Sequence, residues 1–188
     1  MGHTATVISL VVFDGDDTLW YGLDGGYICG VDIFDAGRDD FTFTQLNTFT
    51  IQRDDGYRFR LFPEVPGLLK ELEQRDVLIS LASYNHPSPV MAALRAFAIE
   101  RFFHHPVVEW SSDKARMLKS ILRQFIQDGY LVSPATTLFI DDDHRGVYRS
   151  QMASSGIHFL QRGVDILDLS ELLEQPRFKL VPIQKSLV

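Results

Sequence analysis

The chain has 188 residues, 45% of them apolar and 23% charged, a composition suited to one domain with a real core and room for an inserted subdomain. Its formal net charge of −7 argues against a basic nucleic-acid footprint and against anchoring on anionic lipid. The single cysteine, Cys29, excludes an intramolecular disulfide and a thiolate zinc cage. No basic segment followed by a long apolar one opens the chain, and no apolar run reaches about 18 residues. A cytoplasmic protein, with neither nucleic acid nor membrane as partner, is the expectation.

Residues 7–13 form an apolar run rich in β-branched side chains, broken only by Ser9, and read as one buried strand. It stops at Asp14, and Asp14, Asp16 and Asp17 follow at once. Carboxylates at the end of a core strand are costly unless a cation binds there. The competing reading is a polar turn, with Asp17 or Thr18 capping the next segment. Residues 21–61 then lack helical periodicity. Phe41-Thr42-Phe43-Thr44, Phe49-Thr50-Ile51-Gln52 and Tyr57-Arg58-Phe59-Arg60 alternate apolar and polar, and Arg53-Asp54-Asp55-Gly56 is a turn signal. A β-hairpin or small three-stranded flap, inserted after the first strand, is expected, because a structureless loop of about forty residues is uncommon in a compact domain.

From Pro63 onward helices and short apolar strands alternate. Val65, Leu68, Leu69 and Leu72 recur at helical spacing, and residues 77–82 form a strand ending at Ser83-Tyr84-Asn85-His86. Pro87 and Pro89 open a second helix, and Pro106-Val107-Val108 is a third strand. Ser111 or Ser112 is expected to cap a long helix whose apolar face is Ala115, Leu118, Ile121, Leu122 and Phe125. Residues 136–140 form a strand stopping at Asp141-Asp142-Asp143, followed by a helix to Ala153 and a strand over 157–160. A last helix over 165–173 precedes a tail, 175–188, that the pattern does not place. This alternation predicts an α/β fold: a three-layer Rossmann-like domain spanning 1–188, with a mostly parallel central sheet and a small β-rich flap or cap at 21–61.

Ligands of such sheets bind at the carboxyl ends of the strands. Asp14, Ser83 and Asp141-Asp142 end three of them, and Lys114 begins a helix after another. Carboxylates with few histidines nearby suit a hard cation, Mg²⁺ first. A carboxylate can attack phosphorus, and a second carboxyl can protonate the leaving oxygen and then activate water. Asp14 and Asp16, two residues apart on an extended segment, would point the same way, and a lysine and a hydroxyl can hold phosphate oxygens.

With these residues in place, the chain resembles the haloacid dehalogenase superfamily. The likeness rests on Asp14-Gly15-Asp16-Asp17-Thr18 after an apolar strand, Ser83 ending the next core strand, Lys114 at a helix start, and Asp141-Asp142 after Phe139-Ile140. Phe13-Asp14, Asp17-Thr18-Leu19-Trp20, Leu81-Ala82-Ser83 and Phe139-Ile140-Asp141-Asp142-Asp143 are most similar to the magnesium-dependent phosphatase family. Gly15, Asp17 and a longer flap depart from its usual pattern. The resemblance implies hydrolysis of phosphomonoesters, with phosphotyrosine or sugar and other small-metabolite phosphates as substrates. It makes Asp14 the nucleophile and a Mg²⁺ ligand, and Asp16 the acid/base that also lends its carbonyl to the metal. Asp142 becomes a side-chain ligand supported by Asp141, and Ser83 and Lys114 hold the phosphoryl group. The alternatives are a phosphotransferase or glyceryl-transfer enzyme on the same core, and a non-catalytic metal-binding module.

Other residues have two readings each. Asn85 and His86 either touch substrate or shape the rim loop. Asp143 either orients Asp142 or a water, or is a solvated first-turn residue. Trp20 either floors the leaving-group pocket or packs in the core. Arg53, Arg58 and Arg60 steer an anion or form a solvated face, the latter being the expectation. His104-His105 read as a surface loop, and Cys29 as an inert thiol.

Overall fold

The structure, a computed structural model, describes residues 5–30 and 39–186. Residues 31–38, inside the expected 21–61 insertion, and 1–4 and 187–188 at the ends lie outside the described residues. The apolar run 7–13 is two strands, β1 (Thr6–Ile8) and β2 (Leu10–Phe13). At Ser9 the chain changes partners: Ile8 O accepts from Val181, whereas Ser9 N–H donates to Thr136 O at 3.0 Å. β2 is buried throughout, as a central parallel strand requires.

Among its described residues the insertion is a four-stranded antiparallel sheet, one strand more than the pattern predicted. It comprises β3 (Trp20–Gly22), β4 (Phe43–Asn47), β5 (Thr50–Arg53) and β6 (Arg58–Leu61), in the order β3-β6-β5-β4. The three residues of β3 abut the acidic turn, too few to carry an alternation. The chain continues through α1 (Val65–Gln74), β7 (Leu78–Tyr84), α2 (Pro87–Ala96), β8 (Val107–Glu109), α3 (Lys114–Gln127), β9 (Thr137–Asp141), α4 (Tyr148–Ser155) and β10 (His158–Gln161). The cap of α3 is Asp113, which accepts the N–H of Arg116 at 3.0 Å, and not Ser111 or Ser112. A carboxylate there also complements the helix dipole. The last helix is a 3₁₀ segment, Leu169–Glu174, starting later than expected because Asp165 Oδ2 instead accepts the N–H of Gln161 at 2.7 Å. The unplaced tail supplies β11 (Phe178–Leu180), parallel to β1 in a separate two-stranded sheet.

The central sheet has five strands, all parallel, in the order β10-β9-β2-β7-β8. Apolar side chains of α1 and α2 pack with Val11, Phe13, Ile79 and Ile140 on one face. Those of α3 and α4 pack with Leu10, Val12, Leu78 and Phe139 on the other, giving three layers. Connections leave β2 and β9 in opposite directions, so a crevice opens between their carboxyl ends. No helix among the described residues is long and apolar enough to cross a membrane.

Glu64, just before α1, accepts from Arg162, just after β10, at 3.0 Å, with side chains 11% and 9% exposed. Removing Glu64 leaves the half-buried Arg162 guanidinium with Thr18 O as its remaining hydrogen-bond acceptor among the described residues. Glu64→Ala is therefore expected to cost about 1–3 kcal/mol. Glu71→Ala, from the exposed pair with Arg75, is expected to cost about 0.5 kcal/mol or less. Denaturant unfolding of both variants checks this, and equal costs would contradict it.

Candidate active site

The parallel register pairs Phe13 with Ile140 on one side and Leu81 on the other. One residue on, Asp14 lies beside Asp141 and Ala82, its N–H donating to Ile140 O at 2.9 Å. Alternation turns Asp14 to the face of Val12, the α3 side. Lys114, the first residue of α3, meets it there. Buried Lys114 Nζ donates to Asp14 Oδ1 and to Ala82 O, the latter at 2.7 Å, and stands 3.1 Å from Asp141 Oδ2. Burial alone would lower its pKa. The Asp14 and Asp141 carboxylates outweigh that and hold the ammonium above the usual lysine range.

Asp141 Oδ1 accepts the N–H of Asp143 at 2.7 Å, while its buried Oδ2 has no hydrogen-bond partner. Asp142 is half-buried, with Oδ2 3.2 Å from His144 Nδ1, and its N–H donates to Thr18 Oγ1 at 3.1 Å. That bond ties the acidic turn after β2 to the acidic pair after β9. Burial raises the Asp141 carboxyl against the pull of Lys114, and burial with the Asp14 charge raises that of Asp142. One oxygen from each of Asp14, Asp141 and Asp142 lies within 4.8 Å of the others. An all-oxygen set of three carboxylates facing one ammonium fits a hard divalent cation such as Mg²⁺.

Asp16 is held apart from this cluster. The chain turns after Asp14 instead of staying extended, Leu19 N–H donating to Gly15 O at 2.8 Å and Asp17 taking φ 56° in the turn. Both carboxyls line one cleft, with different partners. Asp16 Oδ1 accepts from Trp20 Nε1 at 3.0 Å and from Ile28 N–H at 3.1 Å, and Oδ2 from Asn85 Nδ2 at 2.6 Å. Burial first, and the Asp14 charge second, push its carboxyl up to about 7. Gly15 makes this possible. A Cβ there would come within 2.6 Å of the Trp20 ring and 3.3 Å of Ser83 Oγ, forcing the indole off Asp16.

A family model described as Acid Phosphatase matches residues 6–174. The chain belongs to that family. It is a magnesium-dependent acid phosphatase family of the haloacid dehalogenase superfamily, and its match spans every candidate site residue. Comparison with curated proteins returns no match.

In this member of the acid phosphatase family, Asp14, Asp16, Ser83, Asn85, Lys114, Asp141 and Asp142 all line one cleft. Asn85 faces Asp16 with its amide nitrogen, and its buried Oδ1 has no partner. Trp20 is a core side chain that also orients Asp16. Asp143 fits neither of its two readings. It is buried, and its carboxylate accepts the N–H groups of Val147, Tyr148 and Arg149 at 3.0–3.3 Å, capping α4. Arg53 is buried and not solvated, whereas exposed Arg58 pairs with Asp24 at 2.8 Å. Burial, with the Asp16 charge second, pushes the Cys29 thiol up to about 11, which disfavours the thiolate.

The cleft also contains Tyr27, Tyr84, Trp110, His144, Arg145 and Tyr148, which the sequence reading missed. Tyr84 directly follows Ser83, and His144 and Arg145 lie two and three residues after Asp142, so sequence adjacency carried a signal for them. Trp110 stacks on His86 at 4.7 Å and meets Tyr84 edge-on at 4.9 Å, contacts with no sequence signature.

The folded Asp16 carboxyl titrates near 7 against an ordinary 3.8. The folded state thus binds this proton more tightly than the unfolded chain does. That contribution to stability is complete below about pH 4 and is lost as pH rises toward 7. Metal-free Asp16→Asn is expected to melt with the wild type near pH 4 and above it at pH 8. Thermal melts across that range check this, and a constant difference would contradict it.

Proposed function

We propose that the protein is a Mg²⁺-dependent phosphomonoester hydrolase acting through an aspartyl-phosphate on Asp14. The observation that carries this reading is the separation of two neighbouring carboxyls, Asp14 against Lys114 and the acidic pair, Asp16 among neutral donors with its carboxyl near 7. Asp14 Oδ attacks phosphorus; the new O–P bond forms as the ester P–O bond breaks. Asp16, protonated, gives its proton to the leaving oxygen. As a carboxylate it then takes a proton from the water that attacks the aspartyl-phosphate, releasing phosphate and restoring both carboxyls.

Lys114 fixes the Asp14 side chain, and Ser83, with Lys114, holds the phosphoryl oxygens. Asp14, Asp142 and the Asp16 backbone carbonyl would hold Mg²⁺, with Asp141 in support. The ion, when bound, screens the phosphate dianion from the attacking carboxylate. The β-rich insertion acts as the cap that selects the leaving group, its turn at 27–30 lining the cleft through Tyr27 and Cys29. Substrates are small phosphorylated metabolites, sugar phosphates among them, or phosphotyrosine. Localisation is cytoplasmic.

Hydrolysis of a generic aryl phosphate tests this. Activity is expected that EDTA abolishes, that Asp14→Asn eliminates, and that Asp16→Asn lowers by about 10²–10⁴. Metal-independent turnover, a fully active Asp14→Asn variant, or transfer to a carrier in place of hydrolysis would contradict it.

A further inference from the structure

Beyond Trp20 in its first strand, the insertion reaches the acid/base carboxyl, among the described residues, through the backbone N–H of Ile28, 3.1 Å from Asp16 Oδ1. What fixes that N–H is remote from the chemistry. The turn carrying it closes on itself through Tyr27 N–H to Gly30 O at 2.8 Å and Gly30 N–H to Tyr27 O at 3.2 Å. The same turn presents three carbonyls to one guanidinium. Arg53 Nη1 donates to Tyr27 O at 2.8 Å, Ile28 O at 3.1 Å and Gly30 O at 3.4 Å. Its other edge is locked on Asp55, Nε to Oδ1 and Nη2 to Oδ2, both at 2.8 Å. The Phe41 ring packs 4.1 Å from the guanidinium carbon. Arg53 is only 2% exposed.

Holding a cation in that position is expensive, and an apolar residue of similar size could fill the space at lower cost. What an apolar residue cannot do is gather three carbonyls with one planar donor edge while a carboxylate fixes the opposite edge. The direction of the Ile28 N–H follows from that of its turn, and the Ile28 N–H, with Trp20 Nε1 and Asn85 Nδ2, aims the Asp16 carboxyl.

We infer that Arg53, braced by Asp55, is a positioning residue for proton transfer by Asp16, acting through the 27–30 turn and the Ile28 N–H. This rests on the reading of Asp16 as the proton donor to the leaving group. It has a consequence that a purely structural role lacks. A misaimed acid slows a reaction in proportion to how much the leaving oxygen needs a proton. A 4-nitrophenolate leaves readily as an anion; phenolate, whose acid has a pKa of about 10 like tyrosine, needs the proton far more.

The test compares kcat/KM for phenyl phosphate and 4-nitrophenyl phosphate, with Mg²⁺, in wild type, Arg53→Gln, Arg53→Lys, Asp55→Asn and the reference Asp16→Asn. The phenyl-to-nitrophenyl ratio is expected to fall about tenfold in Arg53→Gln. Arg53→Lys should fall nearly as far, because an ammonium cannot reproduce the fork. Asp55→Asn should fall less, in the same direction. If Arg53→Gln and Arg53→Lys do not fold, as judged by thermal melts, Asp55→Asn decides: a lowered ratio upholds the inference and an unchanged one overturns it. A loss equal for both substrates in the Arg53 variants, with the ratio lowered in Asp16→Asn, overturns the role of Arg53 alone. An unchanged ratio in Asp16→Asn overturns the acid/base reading and this inference with it.

Discussion

The arrangement depends on a charge imbalance at one edge of the sheet. Register brings the carboxylates of Asp14, Asp141 and Asp142 within 4.8 Å of one another, and Lys114 is the ammonium that meets them. It contacts Asp14, Asp141 and Ala82 O. A single ammonium cannot balance three buried or half-buried carboxylates, so the edge favours either protons or a divalent cation. The raised carboxyls of Asp141 and Asp142 express the first choice, and the all-oxygen donor set suits the second. A slip of one residue between β2 and β9 would turn Asp14 toward α1 and α2, away from Lys114. The site is thus a property of strand register before it is one of side chains.

The second constraint is that two carboxyls so near in sequence must differ in chemistry. The chain does this by turning sharply after Asp14 and drawing Asp16 toward neutral donors from three places: the Trp20 indole, the Ile28 backbone and the Asn85 amide. Asp14 keeps a cation beside it; Asp16 keeps none among the described residues. Gly15 is where these demands meet, since only a residue without a side chain lets the Trp20 ring lie against the turn. The four-stranded insertion takes part through the Trp20 indole and the Ile28 backbone N–H, and buried Arg53, paired with exposed Asp55, holds the turn that carries the latter.

Local pattern made much of this legible. Helical spacing at Val65, Leu68, Leu69 and Leu72 marked α1, and the abrupt acidic ends of apolar runs marked β2 and β9. The five-stranded parallel sheet and the grouping of Asp14, Ser83, Lys114 and Asp141-Asp142 at its edge follow from those signals. What stayed hidden depends on partners distant in sequence. β1 separates from β2 because Ile8 bonds to Val181 and Ser9 to Thr136, and β11 exists as a strand only beside β1. Arg53 looks like a surface cation until carbonyls 23–26 residues away converge on it. Asp143 reads as a site residue by adjacency, yet its carboxylate caps α4.

The central claim is that Asp14 becomes phosphorylated during turnover. Acid quenching of the enzyme with an aryl phosphate and Mg²⁺, followed by borohydride reduction and peptide mass analysis, tests it directly. An aspartyl-phosphate is reduced to homoserine, and that conversion is expected at Asp14 alone. An unmodified Asp14, or a reduced carboxyl at Asp16, Asp141 or Asp142 in its place, would contradict the account.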